Sequence, residues 1–379
     1  MQLPPLSLYI HIPWCVQKCP YCDFNSHAQK GVIPEQEYIA HLLHDLEQDL
    51  KYVQGRTLET IFIGGGTPSL FSAEGMAQLL NEIQSRVPFA PNIEITMEAN
   101  PGTAEAKRFQ QYYDAGLSRL SMGIQSLQSE KLIQLGRIHG PEEALNAIQF
   151  AKDGGFQTFN VDLMHGLPNQ SMEDALYDLK TAIDTSPPHL SWYQLTIEPN
   201  TLFYSKPPTL PEDELLWDIQ EQGHQLLLSA GFEQYEISGY AKPGHQCQHN
   251  LNYWRFGDYL GIGCGAHGKI SFPNEGTILR TVKVKHPKGY MDLAKPYLYQ
   301  SQNIETENRP FEFFMNRFRL VEPCPKDSFS TMTGLPLSMI ETPIKKALAK
   351  GLLKENQDSW QVTPTGSRYL NELLTLFIE

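Results

Sequence analysis

Ser7-Leu8-Tyr9-Ile10-His11-Ile12-Pro13-Trp14-Cys15-Val16-Gln17-Lys18-Cys19-Pro20-Tyr21-Cys22 begins as a short β-rich run and ends in three cysteines spaced C-x3-C-x2-C. A strand that runs straight into a loop of thiols predicts a site at its carboxyl end, where α/β folds gather their chemistry. The same order, strand and then polar loop, recurs downstream. Strand candidates lie at 7–12, 58–63, 93–98, 118–123, 157–162 and 190–195. Between them Tyr38, Leu42, Leu46 and Leu50 recur at helical spacing with acids opposite, and 73–86, 103–115, 142–152 and 172–183 read as amphipathic helices. Six βα units imply a parallel sheet, open or rolled into a full or partial barrel, and periodicity does not choose between them.

The strand ends place further polar residues on one rim. Gly64-Gly65-Gly66-Thr67-Pro68 follows the second strand, Glu98 ends the third, and Gln125 and Asp162 lie at the next two, with Arg137 in the loop region after Gln125. A glycine triplet lets bare backbone approach a ligand, although its bland reading is a tight βα turn. A rim carboxylate such as Glu98 suits ribose hydroxyls, although alone it reads as a solvated side chain. Their joint placement beside the cysteine loop is what gives each of them weight.

Bulk properties narrow the class. The chain has 379 residues, 41% hydrophobic and 19% charged, enough to bury a large core and to form about two domains. No run approaches the roughly 18 apolar residues of a membrane span, and Met1-Gln2-Leu3-Pro4-Pro5 lacks the order of a secretory signal, so a cytoplasmic protein is expected. With 43 acids against 30 Lys and Arg, the net charge of −13 argues against a nucleic-acid partner. Six cysteines are too few for a disulfide scaffold, and the crowding of three of them near the N-terminus suggests a metal or redox site.

Three thiolates in one turn suit a [4Fe–4S] cube and leave one iron without a protein ligand. Zinc is the alternative. Structural zinc wants four ligands, usually in two separated pairs, and no second pair exists here, although His11 and His27 lie nearby.

The spacing, with the aromatic Tyr21 before the third cysteine, resembles the signature of the radical S-adenosylmethionine (SAM) superfamily. That resemblance implies that SAM chelates the open iron through its methionine amino and carboxylate groups, and that an electron from the cluster cleaves the sulfonium to a 5′-deoxyadenosyl radical. The strings at 8–15, 63–68, 119–126 and 160–168 (Asn160-Val161-Asp162-Leu163-Met164-His165-Gly166-Leu167-Pro168) are similar to the oxygen-independent coproporphyrinogen III oxidase family over nearly the whole chain. The resemblance implies a partial (β/α)6 TIM-like barrel. It implies that Tyr9, Gly65 and Glu98 contact one SAM, and that Tyr21, Gly66, Thr67, Gln125, Arg137 and Asp162 line a second SAM or a substrate position. Two departures separate the chain from the oxidase itself. Phe24 stands where the oxidase has a further cysteine, and the cluster loop lies close to Met1. Both point to the related HemW branch, regarded as haem chaperones.

His249-Asn250-Leu251-Asn252-Tyr253-Trp254 fits the HNxxYW motif associated with haem in that branch. A neutral imidazole can ligate haem iron, and Tyr253 and Trp254 offer flat apolar surface, although a histidine beside aromatics is by itself more often a loop residue. His245-Gln246-Cys247-Gln248-His249 tempts a metal reading but names no fourth partner, Cys264 sits in a Gly-rich loop without the Rossmann pattern, and Cys324 is expected to be inert. From about residue 240 the pattern reads as Gly- and aromatic-rich loops. After a connection near 286–296, helices at 311–320 and 343–350, a hairpin at 352–362 and a helix at 366–377 predict a small winged-helix-like α+β domain. The expected division is 1–240 for the barrel, 241–300 for the haem-motif extension and 301–379 for the tail. The expected function is haem delivery to haemoproteins, membrane-associated respiratory enzymes among them. The alternatives are the oxidative decarboxylase and a radical enzyme with another substrate, and a homodimer is left open.

Overall fold

The computed structural model describes residues 1–102 and 107–378. Six parallel strands, β1 (Leu6–Ile12), β2 (Leu58–Gly65), β3 (Phe89–Ala99), β4 (Arg119–Gln125), β5 (Thr158–His165) and β6 (His189–Gln194), lie side by side in chain order. Each overlaps its predicted stretch. The crossover helices are Glu35–Asp49, Ala73–Arg86, Phe109–Asp114, Pro141–Asp153 and Met172–Asp184. Of the helix expected over 103–115, residues 103–106 lie outside the described residues.

Period-two alternation sorts β1 between two faces. Leu6, Leu8, Ile10 and Ile12 are fully buried in the main core with Tyr38, Ile39, Leu42 and Leu46 of the first helix. Ser7, Tyr9 and His11 occupy the opposite face, which looks into the barrel, and Ser7 meets Thr60 of β2 there at 2.7 Å. Start signals are local: the Ser72 hydroxyl accepts from Gly75 N at 3.0 Å, and Ser171 and Asp174 cap each other's backbone N–H at 3.1 Å.

The barrel is partial because other strands occupy its two ends. The outer edge of β6 takes antiparallel β8 (Gly239–Ala241), followed by β7 (Glu233–Gln234). The outer edge of β1 takes parallel β9 (Asp258–Ile262), and antiparallel β10 (His267–Phe272), β11 (Thr277–Lys283) and β12 (Leu298–Asn303) continue the sheet. The result is one twelve-stranded sheet in which β1 and β6 never pair. This corrects the expectation of loops beyond residue 240: that region holds the helix Gln248–Trp254 and the four strands β9–β12. Glycines at 261, 263, 265 and 268 mask the strand signal, and pairing on the edge of β1 overrides their weak propensity.

Asp258 locks this extension in place. Its fully buried carboxylate accepts from Arg56 Nη1 (2.8 Å), Lys269 Nζ (3.0 Å), and Ser271 N and Oγ (2.9 and 2.8 Å).

The tail packs around Phe313, Phe314, Phe329, Ile344, Trp360 and Leu373, a core that it shares with Phe256 and Ile278 of the extension. Helices Arg309–Arg317 and Glu341–Ala349 and the hairpin Leu353–Glu355 with Ser359–Val362 match the expectation. Two features differ. Lys326–Thr333 is a helix, hidden by its Ser/Thr content and fixed by the buried Phe329, and the last helix breaks at Tyr369 into Pro364–Arg368 and Leu370–Thr375. No helix among the described residues is long and apolar enough to cross a membrane.

Candidate functional site

The cysteine loop is tied down at its base by backbone. Trp14–Cys15 pairs with His27–Ala28, His27 N donates to Pro13 O at 2.7 Å and Gln29 N to Cys15 O at 2.8 Å. Asn25 clamps the loop's far side: its carbonyl lies 2.8 Å from His11 Nε2, and its amide donates to Cys264 O at 3.0 Å and Lys285 O at 2.8 Å. Cys15, Cys19 and Cys22 thereby line one cavity of about 500 Å³. Burial pushes the Cys15 and Cys22 thiols above their ordinary range. The Arg137 guanidinium stands 3.6 Å from Cys19 Sγ.

These residues fit a cube rather than a single ion. Among the described residues no three of His, Cys, Asp or Glu converge on a point that could hold one metal ion. A [4Fe–4S] cluster asks for no such convergence, because each thiolate goes to a different iron. The three thiols of one loop facing one cavity meet that demand, and ligation would hold them as thiolates against the upward push of burial.

The glycine loop lies against the cysteine loop. Gly66 N donates to Ile12 O at 2.7 Å and Thr67 N to Trp14 O at 2.8 Å. Gly65 has φ +116°, and a Cβ there would stand 2.5 Å from the His11 ring; at Gly66 it would stand 2.5 Å from Trp14 O. Side chains are excluded by packing, so the cavity wall at 65–66 is bare backbone. Gly65 N donates to Glu98 Oε2 at 3.0 Å.

The other rim residues converge as the strand ends require. Ser121 and Asn160 donate to Asp162 at 3.1 and 2.7 Å, and Tyr193 donates to Gln125 Oε1 at 2.9 Å. Gln125 adopts φ +71° at an irregularity in the β4–β5 pairing, backbone strain of the kind that clusters at functional sites. Arg137 Nη2 donates to Asn100 Oδ1 (2.8 Å) and Gly123 O (2.5 Å), and Asn100 donates to Thr67 Oγ1 at 3.0 Å. Tyr21 packs its ring on Phe203 at 6.3 Å. Sequence reasoning alone does not single out Asn25, Asn100, Asn160 or Tyr193. Asn100, two residues past Glu98, and Tyr193, inside the sixth predicted strand, carried a positional signal.

Burial raises the Glu98 carboxyl to about 7, with the Gly65 N–H opposing and Asp162 adding to the shift. Between the ordinary carboxyl value of 4.5 and about 7 the unfolded chain releases a proton that the folded chain keeps, so this group makes stability fall as pH rises through that window. In cluster-free protein, Glu98→Gln should flatten that fall, gaining roughly 3 kcal/mol over wild type at pH 8 relative to pH 4.5. Urea unfolding at a series of pH values measures it, and parallel curves for the two proteins would contradict the assignment.

A second cavity of about 740 Å³ adjoins the first, and Gly65, Glu98 and Phe24 line both. Tyr9 lines only the second, as does Tyr253, whereas Trp254 lines only the first. His249 lines neither. It is 3% exposed, with Nδ1 2.8 Å from Thr60 Oγ1, Nε2 enclosed without a partner, and the ring 5.2 Å from that of Phe62. Burial lowers its pKa to about 3, so the imidazole is neutral. His245, Cys247 and His249 turn to three separate partners, Thr158, Glu94 and Thr60.

Comparison with known proteins agrees with this architecture. The Radical SAM superfamily profile matches residues 9–182, and that of the HemN C-terminal domain matches 304–369. The solved coproporphyrinogen III oxidase (HemN) from Escherichia coli superposes with a TM-score of 0.84 over 99% of this chain and 90% of that one, at 21% identity, a likeness of fold. Heme chaperone HemW of Escherichia coli (strain K12) is 61% identical over 378 residues, covering 100% of this chain and 99% of that protein. Heme chaperone HemW of Haemophilus influenzae is 62% identical over 381 residues, with the same coverage. With full-length identity at that level, the chain belongs to the HemW family of the radical SAM superfamily.

Proposed function

We propose that this protein is a haem chaperone: it takes up haem, holds a [4Fe–4S] cluster on Cys15, Cys19 and Cys22 with SAM beside it, and hands haem to haemoproteins. The observation that carries the reading is its full-length likeness to proteins named heme chaperone HemW. Phe24 favours it over porphyrinogen decarboxylation. Where the oxidase carries a further cysteine, this chain presents an apolar ring that is 58% exposed and lines both cavities.

The chain's own groups have separable tasks. Bare backbone at Gly65 and Gly66 admits the amino-acid end of SAM, Glu98 accepts from its ribose, and Tyr21, Thr67, Gln125, Arg137 and Asp162 line the remaining polar wall. Arg137 balances charge at the Cys19 sulfur and is itself fixed by Asn100 and Gly123. When bound, the reduced cluster supplies one electron for cleavage of the SAM sulfonium. The helix Gln248–Trp254 contributes to the haem site, with Tyr253 and Trp254 reaching the cavities. Cytoplasmic delivery to membrane-associated respiratory enzymes belongs to the same proposal.

One anaerobic, cluster-replete sample tests it. Haem should bind with a Soret band in difference spectra, while coproporphyrinogen III with SAM and a reductant should yield no protoporphyrinogen IX. Turnover of porphyrinogen without haem binding would overturn the reading in favour of the oxidase. Substrate-dependent 5′-deoxyadenosine without either would point to another radical reaction.

A further inference from the structure

One amide side chain stands between the cysteine loop and the glycine loop. Asn100, just past the end of β3, accepts from Arg137 Nη2 on its Oδ1 at 2.8 Å and donates through its Nδ2 to Thr67 Oγ1 at 3.0 Å. Beyond those two partners lie two sulfurs. Arg137 Nη1 donates to Cys19 Sγ at 3.6 Å, and the Thr67 hydroxyl is hydrogen-bonded to the Cys15 thiol. We infer that Asn100 is a positioning residue for the cluster: it aims one cationic and one neutral hydrogen-bond donor at two of the three cluster thiolates and so raises the cluster's reduction potential. The inference rests on the [4Fe–4S] reading of Cys15, Cys19 and Cys22 and deepens it.

The chemistry of the partners fixes the direction of every bond. A guanidinium has donors only, so the amide oxygen of Asn100 must face Arg137 and its NH₂ must face Thr67. Turned the other way, the amide would set donor against donor. Thr67 Oγ1, having accepted from Asn100, keeps its own hydrogen for Cys15, which as a thiolate can only accept. Arg137 has one further tether, Nη2 to Gly123 O at 2.5 Å, and its Nε is buried without a partner. Among the described residues no carboxylate is ion-paired with Arg137, so the protein leaves its charge to the sulfur side. The donors come from three different βα units, whereas the hydroxyl 3.7 Å from Cys22 Sγ belongs to Ser26 of the cysteine loop itself.

Reduction places negative charge on the cluster and its thiolates, so donors and a cation at the sulfurs favour the reduced form. Each such bond is stronger in the low-dielectric wall of the cavity than in water. Loss of the Asn100 side chain frees the Thr67 hydroxyl to rotate and removes one of the contacts that hold the Arg137 fork. Both donors are then less well aimed, although no thiolate has been touched.

An EPR-monitored redox titration of full-length, anaerobically cluster-loaded protein without SAM tests the role. Asn100→Ala should keep four irons and the wild-type circular dichroism. Its ratio of reduced to oxidised cluster at a fixed potential should fall about tenfold, a midpoint about 59 mV lower for one electron. Thr67→Val deletes only the hydroxyl that Asn100 orients and should move the midpoint the same way, whereas Thr67→Ser should hold the wild-type value. In a Thr67→Val/Arg137→Met background Asn100→Ala should add no shift, because the groups it positions are gone. An unchanged midpoint in iron-replete Asn100→Ala, or a full additional shift in that background, would overturn the positioning role and leave the ligand assignment intact. Should Asn100→Ala lose its iron, Thr67→Val decides, and a wild-type midpoint there rejects the role. Wild-type protein that takes up no four-iron cluster would instead reject the cluster reading.

Discussion

Replacing Cys15, Cys19 or Cys22 by serine, one at a time, should leave anaerobically reconstituted protein colourless, without the EPR signal of a reduced cluster. Serine offers no thiolate, and two thiolates do not retain a cube whose fourth iron already lacks a protein ligand. The loss should remain local. Backbone bonds from His27 to Pro13 and from Gln29 to Cys15, together with the Asn25 clamp on Cys264 and Lys285, hold the loop's base without metal. Faster hydrogen exchange is therefore expected in residues 16–24 and not in β1 or β2. Four irons retained in any of the three variants would refute the ligand assignment.

The largest loss of stability is expected from Asp258→Ala. The substitution strands Lys269, 2% exposed, and the largely covered Arg56 beside one another with no counter-charge. Removing one member of such a buried network costs about 3–5 kcal/mol. The denaturation midpoint should fall accordingly, and Lys269→Met in the Asp258→Ala background should recover part of it by removing the orphaned cation. A loss under about 1 kcal/mol would show that the network contributes little.

The barrel half of this fold is legible because its signals are local. Each of the six strands is a compact apolar or alternating run, and each crossover helix except the partly described third carries its spacing within its own residues. The extension at β9–β12 is not legible, since its strands are short, glycine-broken and stabilised by an edge supplied some 250 residues earlier. Much the same division runs through the site. Cys15, Cys19, Cys22, Gly65 and Gly66 declare themselves by spacing, whereas Asn25 and Tyr193 matter through partners distant in the chain, such as Cys264 and Gln125. His249 shows the converse: its motif is legible in the sequence, whereas its surroundings, a buried ring with Nδ1 2.8 Å from Thr60 Oγ1, come only from the fold.

The open seam of the sheet has a mechanical consequence. With β9 on one terminal strand and β8 on the other, no ladder of peptide hydrogen bonds ties β1 to β6. A change in curvature that widens or narrows the gap between them therefore breaks no pairing between these two strands, and is resisted by isolated ties such as Phe203 N to Pro20 O at 2.9 Å and the bridge between Glu236 and Leu320. A closed cylinder of the same size would have to unzip a strand for the same movement. The wall can thus bend as one continuous leaf without unzipping.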